Sequence, residues 1–342
     1  MCATVATREN CLCCIQNKTA RPAKNIQPNR CQRGEGENHM DDLLYSMEWV
    51  LPLRSDWATP IAEVFTWLGY TPFFLIFLPI GYWLWDRSIF TRLTVLVTIT
   101  AVLNGWFKDF WQDPRPGGDI QLDGRVTGEP GRPSGHAQVA VAMWLWLAHE
   151  ISRPWAWVVA IVLAVGVSLS RIYLGVHDVD DVLTGTALAL ITLVVFAWLV
   201  RPNTPGISQL RASPVAQLAL IVALIPVIWA VWPAAAQAAD RAIHSGPAPT
   251  LTVMFLLGGW IAGAALDARL CPARGPRPQW WQQIIIAVSG IVVLFALRSL
   301  IEWGGEVAGL SEMVTAFAGG FILGFYMTCL APMAFRAVRL MR

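Results

Sequence analysis

The chain has 342 residues, 55% of them apolar and 14% charged, with 18 tryptophans and a formal net charge of +2. Soluble domains average roughly 25% charged residues, so this composition excludes an ordinary water-soluble fold. No basic stripe with interleaved aromatics is present, and no nucleic-acid partner is expected; the expected partners are membrane lipid and what it carries.

Residues 1–39 hold five of the seven cysteines, Cys2, Cys11, Cys13, Cys14 and Cys31. They contain no apolar run, so they do not read as a signal peptide. Their spacing, with His39, fits a zinc site poorly. This segment is expected to be a disordered tail or the product of a start assigned too early, with Met40-Asp41-Asp42 as the natural beginning. Residues 40–65 are amphipathic and too short to span; Trp49 and Trp57 suit a membrane interface. Nine apolar segments follow, at 66–85, 90–108, 135–151, 154–171, 179–200, 214–233, 250–267, 282–300 and 312–334. The expected fold is all-α, a polytopic transmembrane helix bundle of about nine spans. Its expected parts are a membrane core over 66–233 and a three-span C-terminal region over 234–342.

Charge orients this bundle. Arg87, Arg92, Arg153, Arg201, Arg211, Arg269, Arg274, Arg277, Arg336, Arg339 and Arg342 fall after odd-numbered spans. Arg241 is the one arginine in the loops after spans six and eight, which also carry Glu302, Glu306 and Glu312. The Lys/Arg excess marks the cytoplasmic side. The loops around 108–136 and 171–177 then lie on the opposite face. Residues 1–39 carry six Lys/Arg and would sit there too, a conflict that a start at Met40 removes. Near Glu302 and Glu306, Arg298 is four residues from Glu302, a spacing that suits an ion pair within one helix.

Three segments on that face collect most of the chemistry. The first runs from Lys108 to Arg115-Pro116, the second is Pro133-Ser134-Gly135-His136, and the third is Ser170-Arg171 followed by His177 and Asp181. Ionisable groups beside lipid-spanning segments default to a functional reading. Each segment alone also has a plain one: snorkelling cations, a helix cap, a polar helix start. Together, Lys108, Arg115 and Arg171 match the charge of a phosphate. Ser134 and Gly135 open a helix whose free N–H groups attract an anion. His136 can protonate a leaving oxygen. His177 and Asp181, four apart, share a face if the helix begins near Val176. The carboxylate then keeps one ring nitrogen protonated and leaves the other basic, at a helix end facing water.

These blocks, Lys108 with Arg115-Pro116, Pro133-Ser134-Gly135-His136, and Ser170-Arg171 with His177 and Asp181, resemble the three motifs of the type 2 phosphatidic acid phosphatase superfamily. That superfamily also includes glucose-6-phosphatase and vanadium haloperoxidases. The resemblance covers about residues 60–200, so the core over 66–233 is expected to be phosphatase-like, with six helices. It implies that His177 is the nucleophile, Asp181 its orienting partner and His136 the general acid. Lys108, Arg115, Ser134, Gly135 and Arg171 hold the phosphoryl group, and no metal or other cofactor is implied. The expected activity is hydrolysis of a lipid phosphate or diphosphate through a phosphohistidine. Transfer to an acceptor other than water, and a non-catalytic lipid-phosphate binder or transporter, are the alternatives. Undecaprenyl diphosphate, phosphatidylglycerol phosphate, phosphatidate and sphingoid phosphates all fit. The expected location is a bacterial inner membrane with a periplasmic site, or the endoplasmic reticulum with a lumenal one.

Overall fold

The computed structural model describes residues 42–126, 128–202, 204, 207–233, 246–271 and 277–341. The cysteine-rich segment 1–39, Met40, Arg241 and Arg274 lie outside them. Every regular element among the described residues is helical. A short π-turn (Asp42–Ser46) and a 3-10 turn (Glu48–Leu53) come first. Helices α1 (Ala58–Trp67) and α2 (Thr71–Leu84) follow, then α3 (Arg87–Trp111), α4 (Gly135–Ile151), α5 (Pro154–Tyr173) and α6 (Val179–Leu199). Beyond these lie α7 (Ile207–Ala212), α8 (Pro214–Val231), α9 (Pro247–Leu270), α10 (Trp280–Val307) and α11 (Glu312–Phe325). A π-turn (Tyr326–Leu330) joins α11 to α12 (Ala331–Ala337).

Seven of these helical stretches are long and apolar enough to cross a membrane, and the bent pair α1–α2 would make an eighth. The 17-residue α4 is shorter, but it occupies the predicted segment 135–151. The chain is therefore an integral membrane bundle. Its first span departs from the predicted helix over 66–85: the chain bends 58° between α1 and α2. The break has one local and one remote cause. Pro72 can only open a helix here, and the His136 ring fills the space beside Gly69, where a Cβ would come 2.2 Å from it. Outward faces carry apolar side chains, with Val158 63% and Val194 72% exposed, as lipid contact requires.

The core sits around α4, which packs against α3, α5 and α6. Alanines 137, 140, 142 and 148 are all but completely buried on it, and small residues let membrane helices approach closely. Capping sets the helix starts. Asp86 accepts from Ile89 N (2.9 Å) to open α3, and Asp178 accepts from Asp181 N (2.8 Å) to open α6.

The C-terminal helices are attached to this core. Helix α9 lies on α3 and pairs with α11, and Gly259, Gly320 and Gly324 line that contact. A Cβ at Gly259 would come within 1.9 Å of the Phe321 carbonyl oxygen, so the close approach requires glycine. Trp260 Nε1 donates to Thr91 Oγ1 (3.1 Å) and Trp83 Nε1 to the Met327 carbonyl (2.6 Å). Buried Asp267 on α9 pairs with Arg87 of α3 (2.7 Å) and with Arg336 of α12. Arg92 of α3 forks onto Glu150 at the end of α4 (2.6 and 2.8 Å). These arginine pairs lie at the end of α3 and α4 remote from Lys108 and His136. Arg298 and Glu302 form the expected ion pair at 2.9 Å on an exposed face of α10.

Candidate active site

One end of the core gathers all three motifs. Lys108 lies in the last turn of α3, His136 in the first turn of α4, Arg171 in the last turn of α5, and Asp181 in the first turn of α6. Short α4–α5 and α2–α3 connections bring these alternate ends together. The long loop 112–134 brings Arg115 to them and closes over them.

His177 and Asp181 make the tightest unit. Nδ1 of His177 donates to Asp181 Oδ2 at 2.8 Å. On the other side of the ring, Arg115 Nη1 lies 3.1 Å from Nε2 and is also bonded to the Val176 carbonyl (2.7 Å). A guanidinium only donates, so Nε2 is the acceptor and carries the lone pair. Helix α6 begins at Val179, later than the expected Val176, so His177 precedes the helix. Gly175 causes this: its φ of +69° is the left-handed region, which turns the chain after Leu174. His177 is also not at a water-facing position; it is 1% exposed. Burial, with Arg115, Lys108 and Arg171 nearby, holds its pKa well below the usual histidine range.

The cations sit around this pair. Lys108, 7% exposed, donates to the Pro130 carbonyl at 2.5 Å. Arg115 Nε donates to the Glu129 carbonyl at 2.8 Å, and burial lowers its pKa to about 10. Arg171 is fully buried. Its Nη1 reaches Asp123 Oδ2 (3.1 Å) and Thr66 Oγ1, which leaves Nε and Nη2 without a partner among the described residues. Those two N–H groups form one edge of the guanidinium fork, the geometry that grips two phosphate oxygens. Ser134 occupies the N-cap position of α4, yet its Oγ makes no cap bond and is buried without a partner. His136 Nε2 is likewise buried and unpaired. Gly135 lies against Asn104, whose Oδ1 would be 2.9 Å from a Cβ. A set of buried, unmatched donors beside an imidazole lone pair is costly unless an anion completes it.

Several residues of the site were not singled out from the sequence. Asp123 is a loop carboxylate, 4% exposed, that takes hydrogen bonds from Arg171, Arg125 (Nε, 2.7 Å) and Tyr70. Burial opposes its charge, but the Arg125 and Tyr70 bonds and the Arg171 charge prevail and depress its pKa well below the carboxylate range. Tyr70, at the α1–α2 break, also packs edge-on against His136 (4.5 Å between ring centres). Gly131 lies against Asp181: a Cβ there would be 2.8 Å from its Oδ2. Ser134 N donates to the Asp181 carbonyl (2.9 Å), which fixes the starts of α4 and α6 to each other. Of the neighbouring carboxylates, Asp180 turns away to Arg132. Asp178 caps α6, yet Asp113, Asp178 and Asp181 each bring one oxygen within 4.8 Å of the others. Burial and the Asp113 and Asp180 charges raise the Asp178 pKa to about 6.

Gly131→Ala is expected to lower turnover about a hundredfold, the scale of a 1 Å misplacement of a reacting group. Its measure is kcat in purified protein beside an unchanged melting temperature.

Parts of the chain are similar to known proteins. The PAP2 superfamily profile matches residues 89–205. Mouse (Mus musculus) sphingosine-1-phosphate phosphatase 2 is 33% identical over 164 residues, 45% of each chain. A dihydrosphingosine 1-phosphate phosphatase of Saccharomyces cerevisiae is 27% identical over 171 residues, 45% of this chain and 42% of the relative. The chain thus spans less than half the length of these relatives. Among solved structures, a PAP2-type phosphatidylglycerolphosphate phosphatase from Bacillus subtilis shows 24% identity, a TM-score of 0.39, and coverage of 47% of this chain and 85% of that one. Residues 89–205, which carry all three motifs, are thus similar to the PAP2 superfamily.

Proposed function

We propose that this protein is a membrane phosphatase that hydrolyses a lipid phosphomonoester through a phosphohistidine on His177. The observation that carries the reading is the set of buried, unmatched donors on Arg171, Ser134 and His136 beside the His177 lone pair. Phosphate oxygens satisfy the Arg171 edge and Ser134, while Lys108 and Arg115 supply charge as it builds in the transition state. Nε2 of His177 bonds to phosphorus as the P–O bond to the lipid breaks. His136 gives its proton to the leaving alkoxide. Asp181 keeps the proton on Nδ1 and stabilises the positive ring. In the second step neutral His136 takes a proton from water, the hydroxide displaces the ring from phosphorus, and inorganic phosphate leaves.

The site lies at one end of the helices, so a lipid chain can stay in the bilayer while its phosphate reaches the cations. The arginines at the opposite end support a non-cytoplasmic site by the positive-inside bias. That face is periplasmic in a bacterial inner membrane and lumenal in the endoplasmic reticulum. Of the candidate lipids, the names of the relatives favour a sphingoid base phosphate. The test is phosphate release from a panel of lipid phosphates by purified protein, with His177→Ala as blank. Release from none of them would refute the reading.

Vanadate is expected to inhibit, because it adopts the five-coordinate geometry of phosphoryl transfer, and EDTA is expected to leave the rate unchanged. Loss of activity on chelation, restored by a divalent ion, would shift the chemistry toward the Asp113–Asp178–Asp181 cluster.

A further inference from the structure

Besides Asp123 on Arg171, a second acidic side chain, Glu129, stands beside the site's cations, and hydrolysis has no use for it. Glu129 Oε2 lies 3.7 Å from Lys108 Nζ and 3.8 Å from Arg115 Nη2. Its side chain is 53% exposed, whereas those of Lys108 and Arg115 are 9% exposed. Glu129 therefore sits on the outer side of the two cations, at the mouth. The backbone beneath it is held. Arg115 Nε and Lys108 Nζ bond the carbonyls of Glu129 and Pro130, and Gly131 N bonds the Asp113 carbonyl (2.8 Å). The carboxylate can rotate about its own bonds, but the loop keeps it near the phosphate position.

Such a carboxylate works against a phosphate dianion. Two like charges at such a separation repel, weakly in bulk water and more strongly where water is partly excluded. A bound phosphoryl group also takes Lys108 and Arg115 from Glu129 and leaves it without its counter-ions. The repulsion is reversed if the substrate carries its own cation beside the phosphate.

We infer that Glu129 is a specificity residue that receives the ammonium group of an amine-bearing phosphomonoester lipid. In a sphingoid base 1-phosphate the amine is on the carbon next to the phosphate-bearing one. That position places a cation within reach of a carboxylate bordering the phosphate site. Phosphatidate has an acyl ester there, and an N-acylated sphingoid phosphate has a neutral amide. This inference rests on the phosphatase reading and narrows its substrate class.

The test compares kcat/KM of wild type and Glu129→Gln in mixed micelles. The substrates are dihydrosphingosine 1-phosphate, its N-acetyl derivative and octadecyl phosphate, which has the chain and the phosphate but no amine. Wild type is expected to prefer the free amine by about tenfold or more, the size of one hydrogen bond to a charged group. Glu129→Gln is expected to bring that ratio near one. Octadecyl phosphate turnover by the same variant reports folding and chemistry, so the ratio isolates recognition. A ratio unchanged by Glu129→Gln, or a wild type indifferent to the amine, would overturn the inference and leave Glu129 as a counter-ion of the resting site. O-phosphoethanolamine carries the same amine without the chain and is expected to be the poorer substrate; equal rates would overturn the assignment to a lipid. Phosphate release from none of the four would instead refute the phosphatase reading itself.

Discussion

His177→Ala removes lipid-phosphate turnover by at least about a thousandfold, because no other side chain among the described residues offers a lone pair held by Asp181 on one side and Arg115 on the other. The ring is buried, so its removal also leaves Asp181 without its partner. His177→Asn separates the two effects. It keeps a hydrogen-bond donor toward Asp181 and has no nucleophilic nitrogen, so it folds as wild type does and is equally inactive. A near wild-type rate from either variant, measured as phosphate release, would contradict the nucleophile assignment. The pH dependence follows from the same environment. The neutral ring is the reactive form, and burial with the nearby cations depresses its pKa. Lowering the pH through the ordinary histidine range, near 6.5, therefore leaves His177 neutral. The acid limb of kcat/KM that reports His177 is expected well below the ordinary histidine range. A limb at 6.5 or above would mean that the ring is not buried among those charges.

His136→Ala is expected to cost about a hundredfold to ten-thousandfold on an alkyl phosphate, the usual range for losing a general acid. An aryl phosphate such as p-nitrophenyl phosphate leaves without protonation, and its bond-breaking step should lose far less. The two substrates separate proton donation from binding, because a residue that only held the phosphate would affect both alike. His136 Nε2 is buried without a partner and its ring is fixed against Tyr70, which suits a group whose proton goes to the substrate. Equal losses on both substrates would make His136 a phosphate ligand.

The apolar runs announced the helices well, since spans in lipid must be long, continuous and internally hydrogen-bonded. Segment 135–151 has the predicted ends because Ser134-Gly135 starts it and Ser152, in the left-handed region, stops it. The α1–α2 bend was hidden, because residues on both sides of it are apolar and the bend depends on a ring from α4. The motif residues could be read from their types and spacing. Their surroundings could not. Asp123, Glu129 and Gly131 lie in the loop 112–134, which has no helical period to assign a face. One physical signal was available. Three cations at a membrane helix end need carboxylate counter-ions, and that loop holds Asp113, Asp119, Asp123 and Glu129 as the nearest candidates in sequence. Which of them turns inward depends on Tyr70, Arg125 and the closing of α5 on α1, all remote in sequence.

The central claim is a covalent bond between phosphorus and His177. Purified protein mixed with a 32P-labelled lipid phosphate and quenched within the first turnover tests it directly. The account predicts a protein-bound label that survives alkali and is lost in acid, as a phosphoramidate is, that maps to the peptide containing His177, and that is absent from His177→Asn. Lipid-phosphate hydrolysis with no such label under single-turnover conditions, or a label retained by His177→Asn, would contradict it.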